Sequence, residues 1–390
     1  MKNISILGAT GSIGSSTLKL ISMYKERFNI IALTANSDYK KLAFYAKTYK
    51  SKYAVIGDIT KYNNLKKELL GSNTICLAGI NAINDISKIK TDILISAIVG
   101  IAGLKPTYNA IGNTKVLAIA NKESIVSAGS ILLKRAKLKQ TKVIPIDSEH
   151  NAIFQVLENQ DKGNVKDIII TASGGPFWNK DINSFKKISI KDALNHPSWR
   201  MGKKITIDSA TMINKVLETI EASILFNIKL DKVKILIHPL STIHGIVNYI
   251  DGTSHLVANK PDMKIAISYS LFWPYRACTK INNIDFRKCN NLNFHKPDKK
   301  KFPALTIKED FVNSSFMKSN SIVLNAANEI AVKYFLDKKI DFLDIVKNIK
   351  KTIKLFNHIE IKSIEDVIRV NKEARNLTDN IINKKKKWNI

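Results

Sequence analysis

The sequence predicts an α/β protein whose first part is a doubly wound parallel sheet. Three observations carry that prediction. Short, nearly continuous apolar runs alternate with helical patterns over the first 150 residues, as expected of parallel strands covered on both faces. A Gly-rich turn joins the first apolar run to the first helical pattern. From Pro303 onward the apolar spacing is helical throughout.

Ile4-Ser5-Ile6-Leu7 is the first strand, Gly8-Ala9-Thr10-Gly11-Ser12-Ile13-Gly14 the turn, and the run from Ser15 to Ile21 a helix. Together they are the parts of a Rossmann-like first βα unit. Glycines let the backbone approach a pyrophosphate, and the helix start offers it free N–H groups. Ile30-Ile31-Ala32-Leu33 is the second strand, followed by Thr34-Ala35-Asn36-Ser37-Asp38. No acid stands on the strand terminus to grip a ribose 2′-hydroxyl, which favours NADPH over NADH. Ser37, Lys40 or Lys41 are the candidate 2′-phosphate partners, although Asp38 points the other way. Further strands are expected at 53–56, 74–77, 92–96, 116–119 and 143–146.

Just past the last of these comes Asp147-Ser148-Glu149-His150. In extended backbone, two carboxylates one residue apart leave the same side of the chain. Such a pair, with positions left open for substrate oxygens and water, suits Mg2+ or Mn2+. A strand at 167–170 then leads into Ser173-Gly174-Gly175, a turn whose hydroxyl and N–H groups can hold an oxyanion. In Asp208-Ser209-Ala210-Thr211-Met212-Ile213-Asn214-Lys215-Val216-Leu217-Glu218, Asp208 or Ser209 is the expected N-cap of one helix. Asn214 and Glu218, four apart, share a face with Lys215 beside them. That helix start could hold a phosphate with Ser209, Asn214 and Lys215 while Glu218 reaches toward a metal. Between these elements, Asn195-His196-Pro197-Ser198-Trp199-Arg200-Met201-Gly202 strands a Trp and a Met in a Pro- and Gly-bounded loop, as a lid would.

The 390 residues suffice for two or three domains with cores of their own. The formal charge of +29 raises nucleic acid as a partner. Yet Lys is spread through every segment without a basic stripe interleaved with aromatics, so a generally basic surface that attracts anionic substrates is the better reading. Cys76, Cys278 and Cys289 are too few and scattered for a disulfide framework or a zinc site. No apolar run reaches membrane-spanning length, and the first strand starts too close to Met1 for a targeting peptide. A cytoplasmic location is therefore expected, without membrane or nucleic-acid partners. The run from Lys384 to Lys387 is read as a solvated tail.

The motifs resemble the 1-deoxy-D-xylulose 5-phosphate reductoisomerase family. The matching stretches are Gly8 to Gly14, Ala120-Asn121-Lys122-Glu123-Ser124, Pro145 to Asn151, Ser173 to Phe177, and His196-Pro197-Ser198-Trp199 with Met201-Gly202. Asp208 to Glu218, Ile237-His238-Pro239 and Leu324-Asn325-Ala326-Ala327-Asn328-Glu329 complete them in family order. The resemblance implies that Thr10, Gly11, Ser12 and Ile13 hold the NADPH pyrophosphate, with Asn36, Ser37 and Asp38 near the adenosine ribose. Asn121, Glu123 and, in a closed lid, Gly202 would touch the cofactor. Lys122 and Ser148 would contact substrate, and Lys122 would join Asp147, Glu149 and Glu218 as catalytic residues. Asp147, Glu149 and Glu218 would bind the divalent metal, the two glutamates also lying near substrate hydroxyls. Ser173, His196, Ser209, Asn214 and Lys215 would take the phosphate end, and Trp199 and Met201 would belong to the lid.

The implied reaction rearranges the carbon skeleton of deoxyxylulose phosphate to an aldehyde, by retro-aldol/aldol steps or an α-ketol shift. Hydride from NADPH then gives 2-C-methyl-D-erythritol 4-phosphate. The implied organisation is a nucleotide-binding domain at 1–146 and a catalytic, metal-binding and dimerisation domain at 147–280. A linker at 281–303 and a C-terminal helical bundle at 304–390 follow, and a homodimer is expected. The chain departs from the commonest pattern at Trp178, where many members carry Arg, at Arg200, and at Asn36-Ser37-Asp38, where some relatives carry Gly-Lys-Asn. Two other readings compete: an NADP-dependent dehydrogenase that needs no carboxylate trio, and an anion- or nucleic-acid-binding protein supported by charge alone.

Overall fold

The computed structural model describes residues 1–158, 160–199, 201–289 and 291–386. In chain order the first elements are β1 (Lys2–Leu7), α1 (Ser12–Ser22), β2 (Phe28–Ala35), α2 (Tyr39–Thr48), β3 (Tyr53–Ile56), α3 (Tyr62–Glu68) and β4 (Ile75–Ala78). Then come α4 (Ile80–Ile86), β5 (Thr91–Ser96), α5 (Leu104–Ala110), β6 (Thr114–Ile119), α6 (Lys122–Leu138), β7 (Lys142–Pro145) and α7 (Ser148–Leu157). The chain continues through β8 (Val165–Ala172), α8 (Ile190–Leu194), α9 (Lys203–Thr211), α10 (Ile213–Phe226), β9 (Val233–Ile237), β10 (Ile243–Tyr249) and β11 (Ser254–Ala258). It ends with α11 (Met263–Phe272), α12 (Thr306–Val312), α13 (Met317–Leu336), α14 (Phe342–Leu355) and α15 (Ile364–Lys386).

These elements form two compact units. The first comprises Met1–Ser124, Leu132–Asn151 and Asp262–Asn282, and the second Ile125–Ile131, Ala152–Pro261 and Asn283–Ile390. In the first unit the seven strands run parallel in the order β4-β3-β2-β1-β5-β6-β7. The order reverses beside β1, the switch point at which doubly wound sheets bind their ligands. Helices cover both faces, so neighbouring strands bury residues of both parities: Ile4, Ile6, Leu7, Leu94 and Ile95 are all essentially inaccessible. Residues 262–282 return to this unit because Phe272 packs edge-on against Tyr24 and Phe28, with ring centroids 4.8 and 5.4 Å apart.

The second unit holds a mixed sheet in the order β11-β10-β8-β9, with β8 parallel to β9 and antiparallel to β10. Its larger core joins Phe177 and Phe185 to Ile207, Val216, Leu324, Ala327 and Phe342, which brings α9, α10, α13 and α14 together. Helix α14 buries Phe342, Ile345, Val346 and Ile349, a spacing that lays one apolar stripe along the helix. With α13 and α15 it forms the expected helical bundle. Lys384 is exposed, as a solvated segment requires, but Lys384 to Lys386 are helical and continue α15, whose preceding turn is anchored by buried Ile381 and Ile382. Lys387 and Arg200 lie outside the described residues.

Candidate active site

At the head of the first unit, backbone crowding explains the glycines. A Cβ on Gly14 would stand 2.4 Å from the Gly8 carbonyl oxygen, and Gly8 itself has φ +87°. The turn is held from below by the Gly8 and Ala9 amides, which donate to the Thr34 hydroxyl and carbonyl at 3.0 and 2.7 Å. Gly11 caps α1 with no side-chain bond, and the first turn carries no acid, so the positive end of the helix is not blocked by its own residues. Thr10, Gly11, Ser12 and Ile13 all lie at least partly exposed on this turn. At the end of β2, Asn36, Ser37 and Asp38 are exposed. Asp38 is spent on capping α2, accepting from the Lys41 amide at 3.1 Å, while the Lys41 ammonium donates to the Thr10 carbonyl at 2.8 Å.

Asn121 is the N-cap of α6: its Oδ1 accepts from the Ser124 amide at 2.8 Å, and its Nδ2 donates to the carbonyls of Ile98 and Gly100. One buried amide thus ties the loop after β5 to the helix that carries Lys122 and Glu123, both buried. The Lys122 ammonium lies 2.8 Å from Asp147 Oδ2. Asp147 and Glu149 are not in extended backbone as expected. Strand β7 ends at Pro145, and α7 begins at Ser148, its Asn151 amide bonding back to the Asp147 carbonyl at 2.8 Å. Helix formation sets the geometry: Asp147 stands at the entry and Glu149 in the first turn, where negative charge meets the positive helix end. Glu149 also accepts a short hydrogen bond from the Ser148 hydroxyl.

Sequence reasoning assigned no role to His150, which is fully buried with Nδ1 3.1 Å from Asp147 Oδ1. The signal was the i,i+3 spacing from Asp147, which has meaning only once the segment is a helix. Asp147 is therefore held from two sides, by Lys122 and His150.

In the second unit, Ser173 Oγ and Ser209 Oγ lie 3.1 and 3.2 Å from the same atom, His196 Nε2. His196 Nδ1 accepts from the Ser198 and Trp199 amides at 3.2 and 2.9 Å, which places the ring proton on Nε2. Burial first, and the Lys215 charge second, push the His196 pKa down to about 4, so the ring is neutral near pH 7. Ser173 opens a turn in which Gly174 and Gly175 have φ +88° and +67°. A Cβ on Gly174 would meet Trp178 at 2.6 Å. The Trp178 departure is thus accommodated by a glycine, with its ring 5.1 Å from that of His295.

The single helix expected from Asp208 is two. Ser209 and Asp208 sit inside α9, Met212 turns left-handed at φ 63°, and α10 starts at Ile213. Neither Asp208 nor Ser209 is an N-cap. Asn214 and Lys215 lie in the first turn of α10, and both donate short hydrogen bonds to Glu218 one turn on. All three are buried, Glu218 almost completely. Trp199 and Met201 are half-buried and Gly202 is exposed.

His244 of β10 is also buried, with Nε2 3.3 Å from the Asn259 carbonyl. Burial above all, with Lys215 and His238 adding repulsion, lowers its pKa to about 4 from 6.5. The unfolded chain then binds the proton first, so stability is complete above pH 6.5 and falls as pH drops from 6.5 toward 4. The loss attached to His244 is on the order of 3 kcal/mol. Denaturant titrations of wild type and His244→Gln across this window should show a shallower pH slope in the variant. Equal slopes would remove His244 from the acid transition.

A parallel sheet with a Gly-rich first turn at its switch point, in a chain that also carries a serine–imidazole–serine seat and buried carboxylates, defines a dinucleotide-dependent oxidoreductase. The family models 1-deoxy-D-xylulose 5-phosphate reductoisomerase, its C-terminal domain and the DXP reductoisomerase C-terminal domain match residues 4–129, 143–226 and 259–377. The 1-deoxy-D-xylulose 5-phosphate reductoisomerase of Wolbachia pipientis subsp. Culex pipiens is 48% identical over 387 residues, covering 99% of this chain and 98% of that one. That of Zymomonas mobilis is 46% identical over 374 residues, covering 96% of each. This chain belongs to the 1-deoxy-D-xylulose 5-phosphate reductoisomerase family. The solved Zymomonas mobilis enzyme, in complex with NADPH, superposes with a TM-score of 0.91 at 44% identity, over 98% of this chain and 99% of that one. A DOX-P reductoisomerase in complex with NADPH, fosmidomycin and magnesium also gives 0.91, at 36% identity over 99% of each chain.

Proposed function

We propose that this chain is the NADPH-dependent, metal-assisted enzyme that converts 1-deoxy-D-xylulose 5-phosphate to 2-C-methyl-D-erythritol 4-phosphate in the non-mevalonate isoprenoid pathway. The observation that carries the substrate reading is the convergence of the Ser173 and Ser209 hydroxyls on neutral His196 Nε2, with the Lys215 charge felt at the ring. Three adjustable O–H and N–H groups and one cation suit a phosphate ester. Asn214 completes this end by its place beside Lys215 in the first turn of α10.

The donor set fits the metal: Asp147, Glu149 and Glu218 offer only hard oxygens, as Mg2+ or Mn2+ requires. When bound, the ion supplies Lewis-acid stabilisation of developing oxygen charge, and the nicotinamide supplies hydride. Lys122 would then release Asp147 and turn its ammonium to a substrate oxygen, with His150 keeping the carboxylate oriented. Ser148 would add a hydroxyl contact to substrate. The turn residues Thr10 to Ile13 would carry the pyrophosphate, and Asn36 to Asp38 the adenosine end. Asn121 and Glu123, with Gly202 from the lid, would border the rest of the cofactor.

The segment 195–202 would cover the substrate. His196 holds it at one end through the Ser198 and Trp199 amides, so filling the seat and ordering the loop are linked at one side chain. Water exclusion protects the intermediate aldehyde. Trp199→Ala should cut turnover far more than it lowers the melting temperature, and proteolysis within 195–202 should slow when NADPH and a phosphonate analogue are both bound. An early-melting variant with normal turnover would instead make Trp199 a core residue.

The reading includes a cytoplasmic homodimer. No helix among the described residues is long and apolar enough to cross a membrane. Strand β11 lies at the edge of its sheet with Ser254, His255 and Leu256 exposed, an edge able to meet a second copy. The deciding assay is NADPH oxidation driven by deoxyxylulose phosphate, with and without divalent metal. Reaction with other ketones or aldehydes but not with this substrate would favour a simple dehydrogenase.

A further inference from the structure

The stretch Leu324-Asn325-Ala326-Ala327-Asn328-Glu329 is part of the family signature, yet the chemistry above gives it no task. It lies in α13, where Asn325 and Asn328 are both 0% exposed. An amide in such a place costs about 1–3 kcal/mol for each group left unpaired. Asn328 Nδ2 donates to Asp208 Oδ1 at 2.8 Å, across 120 residues of sequence. The other oxygen of Asp208, Oδ2, accepts from Lys204 Nζ at 2.7 Å. Asp208 is itself 1% exposed, so a full carboxylate is held in the core between one ammonium and one amide.

The place of this string gives it meaning. Lys204 stands two residues after Gly202, where the lid ends, and Asp208 directly precedes Ser209, whose hydroxyl faces His196. Around it, Ile207 and Ala210 share an apolar core with Leu324, Ala327 and Ala331. Apolar contacts have no direction and would tolerate a small rotation of α9. A buried carboxylate with two directed bonds would not. The fit leaves little slack, since a Cβ on Gly175 would come within 2.9 Å of the Ser209 carbonyl oxygen.

We propose that Asp208 and Asn328 are positioning residues: the string Lys204–Asp208–Asn328 sets the rotation of α9 on α13, and so fixes both the Ser209 hydroxyl of the phosphate seat and the end of the lid. The inference rests on the reading of Ser173, His196 and Ser209 as that seat. The exchange of the two residues preserves the string. With Asp208→Asn and Asn328→Asp together, the new amide at 208 donates to the new carboxylate at 328 and its oxygen still accepts from Lys204. Asn328→Asp breaks it by setting two carboxylates face to face, whereas Asp208→Asn leaves two amides that still pair through N–H and C=O and removes only the charge that Lys204 meets.

The test measures binding of fosmidomycin and of NADPH to the full chain with Mg2+ by calorimetry. Asp208→Leu, which removes both bonds, and Asn328→Asp should each weaken fosmidomycin at least about tenfold with NADPH affinity held within about twofold, and adding Asp208→Asn to Asn328→Asp should recover to within about threefold. A merely structural role would loosen both ligands together and track the melting temperature; that pattern, or a double exchange that fails to recover, overturns the proposal. Ser209→Ala is the control: if it leaves fosmidomycin affinity intact, the phosphate seat itself is misplaced. If Ser209→Ala weakens binding while the single variants do not, the seat stands and the positioning string falls. Should Asn328→Asp not fold, Lys204→Met cuts the string at its partly exposed end and should give the same tenfold loss; unchanged affinity there is equally decisive against it.

Discussion

Chelation of divalent metal from the purified protein is expected to abolish turnover, and Mg2+ or Mn2+ to restore it. The residues behind this are Asp147, Glu149 and Glu218, three carboxylates in a chain of 62 Lys and Arg against 33 Asp and Glu. Carboxylates largely withdrawn from water need cations; Lys122 serves half-buried Asp147 and Lys215 serves buried Glu218 in the structure. Glu149→Gln keeps shape and removes charge. It should raise the barrier by at least about 2.7 kcal/mol, roughly a hundredfold in rate. Folding should be largely retained, because Glu149 is only half-buried. Steady-state rates against metal concentration, beside a melting curve, test both halves. Full turnover by the metal-free protein would dismiss the trio.

NADPH should exceed NADH by roughly a hundredfold or more in kcat/KM, about 2.7 kcal/mol in transition-state terms. The NAD-type arrangement needs a free carboxylate at the end of β2 to accept from the ribose 2′-hydroxyl. Here β2 ends at Ala35, and the nearest acid, Asp38, is occupied as the cap of α2. The apparent contrary sign in the sequence is therefore a helix cap. Lys40 and Lys41 leave the local field positive, which suits a 2′-phosphate. Parallel saturation curves with the two cofactors decide it, and equal efficiencies would mean that the 34–38 segment does not face the ribose.

Much of the protein was legible from local pattern. The strand run at 53–56 coincides with β3, and those at 92–96 and 116–119 fall within β5 and β6, because a strand buried in a sheet needs consecutive apolar residues whatever surrounds it. The glycine turn after β1 was equally plain, since a Cβ at Gly14 would fall 2.4 Å from a backbone oxygen. Departures came where the chain changes state within a few residues. An acidic pair beyond a strand reads as extended, but the segment enters α7 at Ser148. One amphipathic helix was expected where Met212, in the left-handed region, splits α9 from α10; nothing in the residue type announces it.

By itself, then, the sequence determined the sheet, the phosphate-binding turn, the residue types of the site and the family, for these depend on periodicity and on chemistry carried by single side chains. Tertiary structure alone decided which partner each polar group meets. That His150 braces Asp147, that one imidazole nitrogen gathers Ser173 and Ser209, and that Asn328 reaches Asp208 are outcomes of helix packing. The reason is physical: a buried polar group must find a directed partner wherever the fold supplies one, and that partner can lie at any distance along the chain.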